Sequence, residues 1–276
     1  MAAGVGSRFG GMKQVAALGP SGESLFDYAV YDARRAGLAE IVFVVSPESR
    51  NPVQDHVESG LGRHVSVIYV EQQSAGRAKP WGTGHAVLLA SAAVSGPFGV
   101  VNADDFYGGR SFDALGDALG GDPDRHVLVG FTLRETLSSH GGVSRGVCRT
   151  SGDDLTAIDE LHDVRAVDGR VECREGVELS GDEVVSANLW GFLPSFRDVL
   201  VAEFDAFIAE HGDDASAEFL IGDAVSRLEA HGHRPTRVVR TPERFLGVTY
   251  KEDLAGVRDE LAKKVAEREY PSPLWS

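Results

Sequence analysis

Hydrophobic and polar positions follow two different periods along the first half of the chain. Apolar residues recur at helical spacing over 25–37 and 83–93. Continuous runs rich in β-branched residues, typical of strands buried on both faces, fill 41–46 and 98–102. The same patterns predict further helices at 51–60 and 111–119 and further strands at 65–71 and 127–133. Alternating strands and helices indicate a parallel sheet with helices on both faces, whose ligands bind beyond the carboxyl ends of the strands.

The pattern changes after residue 135. Short strand candidates at 143–149, 155–161 and 170–175 are separated by glycine and aspartate turns, and they predict an antiparallel excursion from the sheet. The remaining predicted elements are strands at 184–193 and 236–240 and helices at 195–211, 217–231 and 251–268. We therefore expect one α/β domain over 1–276, with a mostly parallel, Rossmann-like sheet and a small antiparallel insertion.

Composition narrows the classes of function. The 276 residues are 42% hydrophobic and 25% charged, which is ordinary for a globular protein. A net charge of −15 disfavours general nucleic-acid binding, although local cations can still bind a small anion. No apolar run reaches membrane-spanning length, so we expect no membrane partner. Cys148 and Cys173 make no metal or disulfide pattern, which favours reduced thiols in a cytoplasmic protein.

The first fourteen residues, MAAGVGSRFGGMKQ, combine four glycines with the cations Arg8 and Lys13. Glycines let backbone N–H groups approach a ligand, and two cations can neutralise a polyphosphate from separate directions. The dinucleotide-binding pattern is excluded because Phe9 stands at its third glycine, and no Gly-Lys-Ser/Thr follows as a P-loop requires. The alternative is a flexible glycine-rich segment with incidental charges.

A parallel sheet of this type places a hydrophobic strand directly before its first glycine loop. Here Met1-Ala-Ala precedes Gly4. We therefore expect an unfilled slot in the sheet, either because the strand is absent or because the start lies upstream of Met1. Such a slot would lower the stability of the fold.

Three further sites carry candidate chemistry. Asp104 follows a buried strand, where a carboxylate suits Mg²⁺ shared with substrate phosphates, although Asp is equally at home in a helix cap or an Asx-turn. Gln72 has the donor and acceptor needed to bind the edge of a nucleobase. Gly82 and Thr83 open a helix whose free N–H groups suit an anion, or they form a plain loop with Thr83 as its cap. His85 has no neighbouring acid or nucleophile and receives no catalytic role.

Several of these segments together resemble a known family. AAGVGSRFGGMKQ, KPWGTGHAV and VVNADDFYG, in this order and spacing, are similar to the sugar-1-phosphate nucleotidyltransferases. VSRGVC, VSANLWGF and FLGVTYKEDL extend the resemblance toward the UTP–glucose-1-phosphate uridylyltransferase branch over nearly the whole chain. The resemblance implies a GT-A-like fold with a nucleotide-binding half at 1–135, a sugar-side half at 136–250 and a C-terminal helix and tail at 251–276. A homo-oligomer is left open.

The resemblance also implies an activity and assigns residues to it. A sugar 1-phosphate would attack the α-phosphorus of an NTP, with UTP preferred, and pyrophosphate would leave. Arg8 would hold the departing phosphates, Lys13 the α-phosphate, and Asp104 the cofactor Mg²⁺. The residues assigned to the nucleotide are Ala3, Gly4, Gly6, Gln72, Gly82 and Thr83, and those assigned to the sugar phosphate are Glu160, Asn188 and Lys251.

The sequence departs from the family pattern at two places. Where many members carry a second metal ligand, this chain has Gly247 and Thr249, and the Glu-Lys-Pro lysine is replaced within Asp159-Glu-Leu-His162. Two other functions therefore stay open: a nucleotide-sugar-dependent glycosyltransferase and a catalytically silent protein that binds nucleotide or sugar phosphate. Adjacent carboxylates, rather than Asp-x-Asp, disfavour the glycosyltransferase.

Overall fold

The helices and strands follow the predicted alternation, with shifted ends. The structure, a computed structural model, describes residues 1–4, 12–74, 76–77 and 79–275. The helices are α1 (Leu25–Arg35), α2 (Pro47–Ser59), α3 (Thr83–Ser91), α4 (Gly109–Gly121), α5 (Phe196–His211), α6 (Ile221–Val225) and α7 (Asp253–Ala266). The strands are β1 (Glu40–Val45), β2 (Ser66–Glu71), β3 (Phe98–Val100), β4 (Asp105–Phe106), β5 (Val127–Thr132), β6 (Val143–Ser151), β7 (Asp154–Val167), β8 (Arg170–Glu172), β9 (Val184–Phe192), β10 (Arg237–Arg240) and β11 (Leu246–Gly247).

Local hydrogen bonds explain two shifted helix starts. Helix α2 begins at Pro47 rather than at residue 51, because the Ser46 hydroxyl accepts the Ser49 N–H and Pro47 suits the first helical turn. Helix α7 begins at Asp253, whose carboxylate accepts the N–H groups of Thr249 and Tyr250. Lys251 therefore lies in the turn before the helix, not in its first turn.

The helix predicted over 217–231 is wrong in length, since α6 covers five residues. The backbone before α6 is hydrogen-bonded to the segment at the start of α3. The Phe219 N–H donates to the Trp81 carbonyl at 2.7 Å, and the Gly84 N–H donates to the Phe219 carbonyl at 2.9 Å. These bonds hold the start of α3 against the segment before α6. Tertiary hydrogen bonds thus override a helical pattern in the sequence.

The large sheet is mixed, which corrects the expectation of a mostly parallel one. Its order is β10-β5-β9-β6-β7-β8, with β3 also paired to β9. Within the described residues, β10 with β5 and β1 with β2 are parallel pairs, whereas β9 runs antiparallel to β3, β5 and β6. The excursion predicted after residue 135 is confirmed, but it supplies most of the sheet rather than a small insertion. Hairpin connections join antiparallel strands, so most strand pairs in the large sheet are antiparallel.

Two apolar clusters cover the large sheet. Helices α1 and α4 pack on one face through residues such as Ala29 and Leu115, and α5 and α6 pack on the other through residues such as Phe196. Strand β9 contributes Leu189 to the first cluster and Trp190 to the second, as expected from the alternation of side chains along a central strand. Strand β9 is therefore held by packing on both faces of the sheet.

The first two residues bridge β1 and the segment after β3. The Met1 nitrogen donates to the Val101 carbonyl at 2.6 Å, and the Ala103 N–H donates to the Met1 carbonyl at 2.9 Å. On the other side, the Ala2 N–H donates to the Val44 carbonyl at 2.7 Å. Met1 and Ala2 therefore place the chain at the carboxyl ends of these strands.

Candidate active site

A cavity of about 710 Å³ lies at the rim where the carboxyl ends of the central strands meet the sugar-side strands β7 and β9. It brings together five of the residues singled out in the sequence: Lys13, Thr83, Asp104, Glu160 and Asn188. These side chains come from separate loops and strands. Their convergence agrees with a ligand site beyond the ends of strands in an α/β fold.

Lys13 and Asp104 are in contact at one end of the cavity. The Lys13 ammonium lies 3.2 Å from a carboxylate oxygen of Asp104, and both side chains are at least two-thirds covered. Lys13 opens a short 3₁₀ turn, and in the same turn the Gln14 amide donates to the Gly4 carbonyl at 2.5 Å. The expected phosphate-binding cation and the expected metal ligand thus neutralise each other in the absence of a ligand.

Asp105 and Arg145 line the same cavity and were not singled out in the sequence. Burial, reinforced by the charge of Asp104, raises the pKa of Asp105 to about 7, while the Asn102 amide donates to its carboxyl at 2.8 Å. The Arg145 guanidinium donates to the Thr136 hydroxyl at 2.9 Å and to the Thr136 and Ser144 carbonyls.

Burial lowers the pKa of Arg145, and the nearby carboxylates of Asp105 and Glu160 oppose that shift. Three hydrogen bonds, to the backbone and to the Thr136 hydroxyl, hold the guanidinium in place as a positive charge in the wall of the cavity. Asp105 could have been found from its place beside Asp104. An arginine in the apolar strand pattern VSRGVC was the available signal for Arg145.

Glu160 lies on β7 opposite Gly146 of β6. A Cβ at Gly146 would lie 2.8 Å from Ile158 and 3.4 Å from a carboxylate oxygen of Glu160, so glycine keeps the space beside this carboxyl free. Glu160 is open to the cavity, yet the surrounding protein desolvates its carboxyl enough to raise the pKa. An acceptor in a partly desolvated position suits a sugar hydroxyl.

Asn188 sits at an irregularity of β9. Its φ is 62°, in the left-handed region that side chains other than glycine rarely adopt, and the β5–β9 register shifts beside it. The Trp190 indole donates to the side-chain amide oxygen of Asn188 (Oδ1) at 3.3 Å, and the Asn188 backbone N–H donates to the Ser186 hydroxyl at 3.3 Å. The bend directs the side chain into the cavity, and strain of this kind is concentrated at functional sites.

Gln72 and Gly82 brace the loop before α3 and do not line the cavity. The Gln72 amide donates to the Gly82 carbonyl at 2.9 Å and lies 3.2 Å from His85. Gly82 has a φ of 97°, and a Cβ there would lie 2.5 Å from the Phe219 carbonyl oxygen, so the turn requires glycine. The Thr83 hydroxyl accepts the Ile221 N–H at 3.2 Å. The loop is thus held in one shape beside the cavity.

The other expected site residues lie elsewhere. Ala3 is buried and Gly4 is exposed at the rim, and Lys251 is exposed in its turn and does not line the cavity. Gly6 and Arg8 lie outside the described residues. The His85 ring stacks on Phe204 with centroids 4.7 Å apart, and burial lowers its pKa, in keeping with a packing role.

The donor set around Asp104 fits a divalent cation that is shared with a substrate. In the part of the chain that the structure describes, no group of three or more His, Cys, Asp or Glu side chains converges as a metal cage. Mg²⁺ is commonly held by one or two carboxylates, with phosphates and water completing its coordination, and Asp104 with Asp105 meets that need. Gly247 pairs with Asp105 across β4 and β11, and a Cβ at Gly247 would lie 3.0 Å from the Asp105 carboxylate. Glycine therefore leaves room beside that carboxylate.

Searches for similar proteins agree with this geometry. Over 238 residues the chain is 27% identical to the bifunctional protein GlmU of Maricaulis maris (strain MCS10), covering 85% of this chain and 45% of the relative. The chain thus spans less than half the length of that curated relative. No helix within the described residues is long and apolar enough to cross a membrane.

Solved structures share the fold. The inositol-1-phosphate CTP transferase of T. maritima superposes with a TM-score of 0.67 at 15% identity, covering 96% of this chain and 94% of that one. UDP-glucose pyrophosphorylase of Acinetobacter baumannii gives 0.62 at 16% identity, with coverages of 97% and 96%. The family model described as nucleotidyl transferase matches residues 1–160, more than half of the chain. The protein therefore belongs to the nucleotidyl transferase family, as its glycine segment and the segments KPWGTGHAV and VVNADDFYG indicated.

Proposed function

We propose that the protein transfers a nucleoside monophosphate from an NTP, with UTP preferred, to a sugar 1-phosphate and releases pyrophosphate. One observation carries this proposal. The cation and carboxylates suited to phosphates (Lys13, Asp104 and Asp105) share one cavity with Glu160 and Asn188, which suit sugar hydroxyls. A site with both kinds of group can hold the two substrates side by side, as a direct transfer requires.

The reaction forms one bond and breaks one. An oxygen of the sugar 1-phosphate attacks the α-phosphorus, the bond from that phosphorus to the bridging oxygen breaks, and the electron pair leaves with pyrophosphate. The work of the protein is positioning and charge neutralisation rather than covalent catalysis.

Lys13 has the position and charge to stabilise the α-phosphate as negative charge builds on it. Lys13 pairs with Asp104 at 3.2 Å, so binding of a phosphate to Lys13 would exchange one ion pair for another. Arg8 is assigned to the departing phosphates from the same segment. The released carboxylate of Asp104, with Asp105, would hold Mg²⁺, which supplies charge neutralisation of the phosphates when bound.

On the acceptor side, Glu160 and Asn188 are assigned to the sugar hydroxyls. Arg145 is held by its bonds to Thr136 and Ser144, so it supplies a fixed positive charge that influences both Glu160 and Asp105, and it acts as a positioning residue. The loop braced by Gln72 presents the N–H groups at Gly82 and Thr83 to the base. UTP as the preferred nucleotide is supported by the resemblance of the sequence to the uridylyltransferase branch.

The test is release of pyrophosphate. The protein is incubated with Mg²⁺, each of the four NTPs in turn and a panel of sugar 1-phosphates, and a reaction without sugar phosphate is the control. We expect release that requires both substrates and is fastest with UTP. Calorimetric binding of nucleotide with no release from any pair would contradict the proposal and favour a silent binding protein. Consumption of a nucleotide sugar without pyrophosphate would instead favour a glycosyltransferase.

A further inference from the structure

A cavity of about 560 Å³ lies between helix α7 and the turn that joins β7 to β8. It is distinct from the candidate active site, although the two share a wall made of Arg145, Phe245, Gly247 and Thr249. Part of its lining is apolar and includes Val143, Val171 and Val257. Volumes of about 300–1,000 Å³, with apolar walls and a few polar groups, are typical of sites for small organic molecules.

The charged side chains around this cavity reverse the balance of the whole chain. The protein carries 42 acidic residues against 27 lysines and arginines. Within the described residues, the cavity is lined by four arginines and one carboxylate, and its titratable side chains are Arg134, His140, Arg145, Arg170, Arg244 and Asp253. We call this space the basic cavity. Cations clustered in a cleft attract a small anion even when the protein as a whole is acidic.

The carboxylate of the basic cavity is already engaged by the protein. Asp253 accepts a hydrogen bond from the Ser138 hydroxyl at 2.7 Å and from the backbone N–H groups of Thr249 and Tyr250. The Tyr250 hydroxyl in turn donates to the Gly142 carbonyl at 2.7 Å. These bonds hold the loop before β6 against the start of α7, so Asp253 stabilises a wall of the cavity and three donors already share its negative charge.

Arg134 is a fixed charge at one edge of the basic cavity. Its guanidinium donates to the Ser180 carbonyl at 2.9 Å and lies 3.0 Å from the carboxylate of Asp182, which does not line the cavity. A Cβ at Gly181 would lie 3.1 Å from Arg134 Nε, so glycine lets the guanidinium approach this turn closely. The position of Arg134 is therefore set by the protein before any ligand binds.

Arg170 and Arg244 are held differently. Arg170 begins β8, and Arg244 lies two residues before β11. Both are exposed, both line the basic cavity, and neither guanidinium has a hydrogen-bonding or ion-pairing partner in the part of the chain that the structure describes. A guanidinium presents a planar fork of donors that matches the oxygens of a phosphate group. Two such forks in one cavity suit a phosphate dianion.

We propose that the basic cavity binds a phosphomonoester, with its phosphate held by Arg170 and Arg244 and its organic part against the apolar lining. Arg134 adds a fixed positive charge at the edge of the site. The inference goes beyond the proposed nucleotidyl transfer and does not depend on it, because it uses neither Lys13 nor Asp104.

The test titrates two probes, phenyl phosphate and inorganic phosphate, into the protein in a calorimeter at about 0.15 M salt, which screens contacts between distant exposed charges. Phenyl phosphate carries an apolar body, whereas inorganic phosphate consists of the anion alone. We expect both to bind saturably, and phenyl phosphate to bind about tenfold more tightly because its ring is removed from water.

Paired substitutions locate the site. Arg170→Ser combined with Arg244→Ser should raise the Kd for phenyl phosphate by about tenfold or more, since two charge-assisted contacts are lost. The matched control, Arg63→Ser combined with Arg197→Ser, removes the same charge from two exposed arginines that do not line the cavity, and it should leave Kd unchanged. Lys13→Ala should also keep the original Kd, because Lys13 lines the other cavity. Substitutions at exposed positions such as these should leave Tm nearly unchanged, which verifies the fold of each arginine pair.

Four results would overturn the proposal. Absence of saturable binding would show that the arginines do not form a site, and an equal rise in Kd in both arginine pairs would show an effect of net charge alone. Loss of binding in Lys13→Ala, with none in Arg170→Ser/Arg244→Ser, would place the phosphate in the candidate active site. Equal affinity for the two probes would show that only the anion is recognised, and it would contradict an ester as the ligand.

Discussion

The two sides of the candidate active site are built in different ways. Glu160 and Asn188 project from β7 and β9, strands of 14 and 9 residues inside the large sheet. Lys13 and Asp104 lie on a 3₁₀ turn and a loop, and they are held mainly by each other. The strand side is therefore fixed before a ligand binds, whereas the loop side has to exchange an internal ion pair for contacts with a ligand. Substitutions on the two sides should accordingly affect different steps.

The strands near the two sides also differ in how closely they are packed. Strand β9 is covered on both faces, and Trp190 and Phe192 stack with centroids 5.8 Å apart in a filled core. Strand β1 instead borders a cavity of about 460 Å³ with mainly apolar walls. A site residue gains precision from a rigid support, so the sugar-side geometry should tolerate loss of a ligand contact better than the phosphate side.

The largest effect is expected from Lys13→Ala. Loss of the cation should lower kcat for pyrophosphate release by about 10²–10³-fold, the usual result of removing one preorganised charge from a transition state. The free energy of unfolding should change by less than about 1 kcal/mol, since the pair with Asp104 is partly solvated. Turnover and denaturant unfolding of the same preparation measure the two quantities.

Lys79→Ala is the matched control for that change. Lys79 is an exposed lysine that pairs with Glu218 at 3.6 Å and does not line the cavity. Its loss should leave kcat unchanged. Equal losses in the two variants, or full turnover in Lys13→Ala, would contradict the role of Lys13 and weaken the contrast between the two sides.

A smaller effect, in a different parameter, is expected from Glu160→Gln. The substitution keeps the shape and removes the charge, so KM for the sugar 1-phosphate should rise by about tenfold, equivalent to ~1.4 kcal/mol, with a much smaller change in kcat. Steady-state kinetics at saturating nucleotide separate the two parameters.

Asp159→Asn provides the comparison on the same strand. Asp159 faces the other side of β7 and pairs with Arg149 at 2.6 Å. We expect its KM to match that of the unsubstituted protein. A rise in KM of the same size in both variants would mean that the strand, rather than the Glu160 carboxylate, sets the affinity.

The same contrast explains what the sequence could predict. Glu160, Asn188, Asp104 and Lys13 were all singled out, and the structure places them in one cavity. Periodicity identifies a strand and its buried face, but it carries no information on which strand lies beside it or in which direction. The mixed order of the sheet was therefore missed, as was the short α6, whose neighbouring backbone bonds to Trp81 and Gly84.

The sequence pattern also could not predict residues whose role depends on tertiary contacts. Arg145 is held as a partly buried cation by the neighbouring Ser144 carbonyl and by Thr136, and its strand pattern carries no information on the contact with Thr136. Lys251 does not line the cavity. The N–H groups of the two preceding residues donate to the Asp253 carboxylate, and Lys251 lies exposed in the turn that these bonds close.

The smallest effect is a pH dependence of stability whose sign should differ between the two regions. His56 of α2, beside the β1–β2 ladder, contacts the Asp27 carboxylate at 2.6 Å, and that hydrogen bond raises its pKa. Its contribution is fully present below the ordinary histidine pKa of about 6.5 and is lost as the pH rises through the raised value in the folded protein. His56→Gln should remove this loss, which we expect to be about 1 kcal/mol or less.

His126, behind β9, should show the opposite sign. It is buried against Phe192 and Phe196, and burial, with a smaller effect of His233, lowers its pKa to about 4. Its neutral ring accepts the Leu193 N–H, so its contribution is present above about pH 6.5 and is lost as the pH falls toward 4. Denaturant unfolding of His56→Gln and His126→Asn from about pH 4 to about pH 9 should therefore flatten opposite arms of the stability curve. If both variants removed the pH dependence on the same side of the stability maximum, the pKa values of the two histidines would be shifted in the same direction. The contrast between the two regions would then not extend to their histidines.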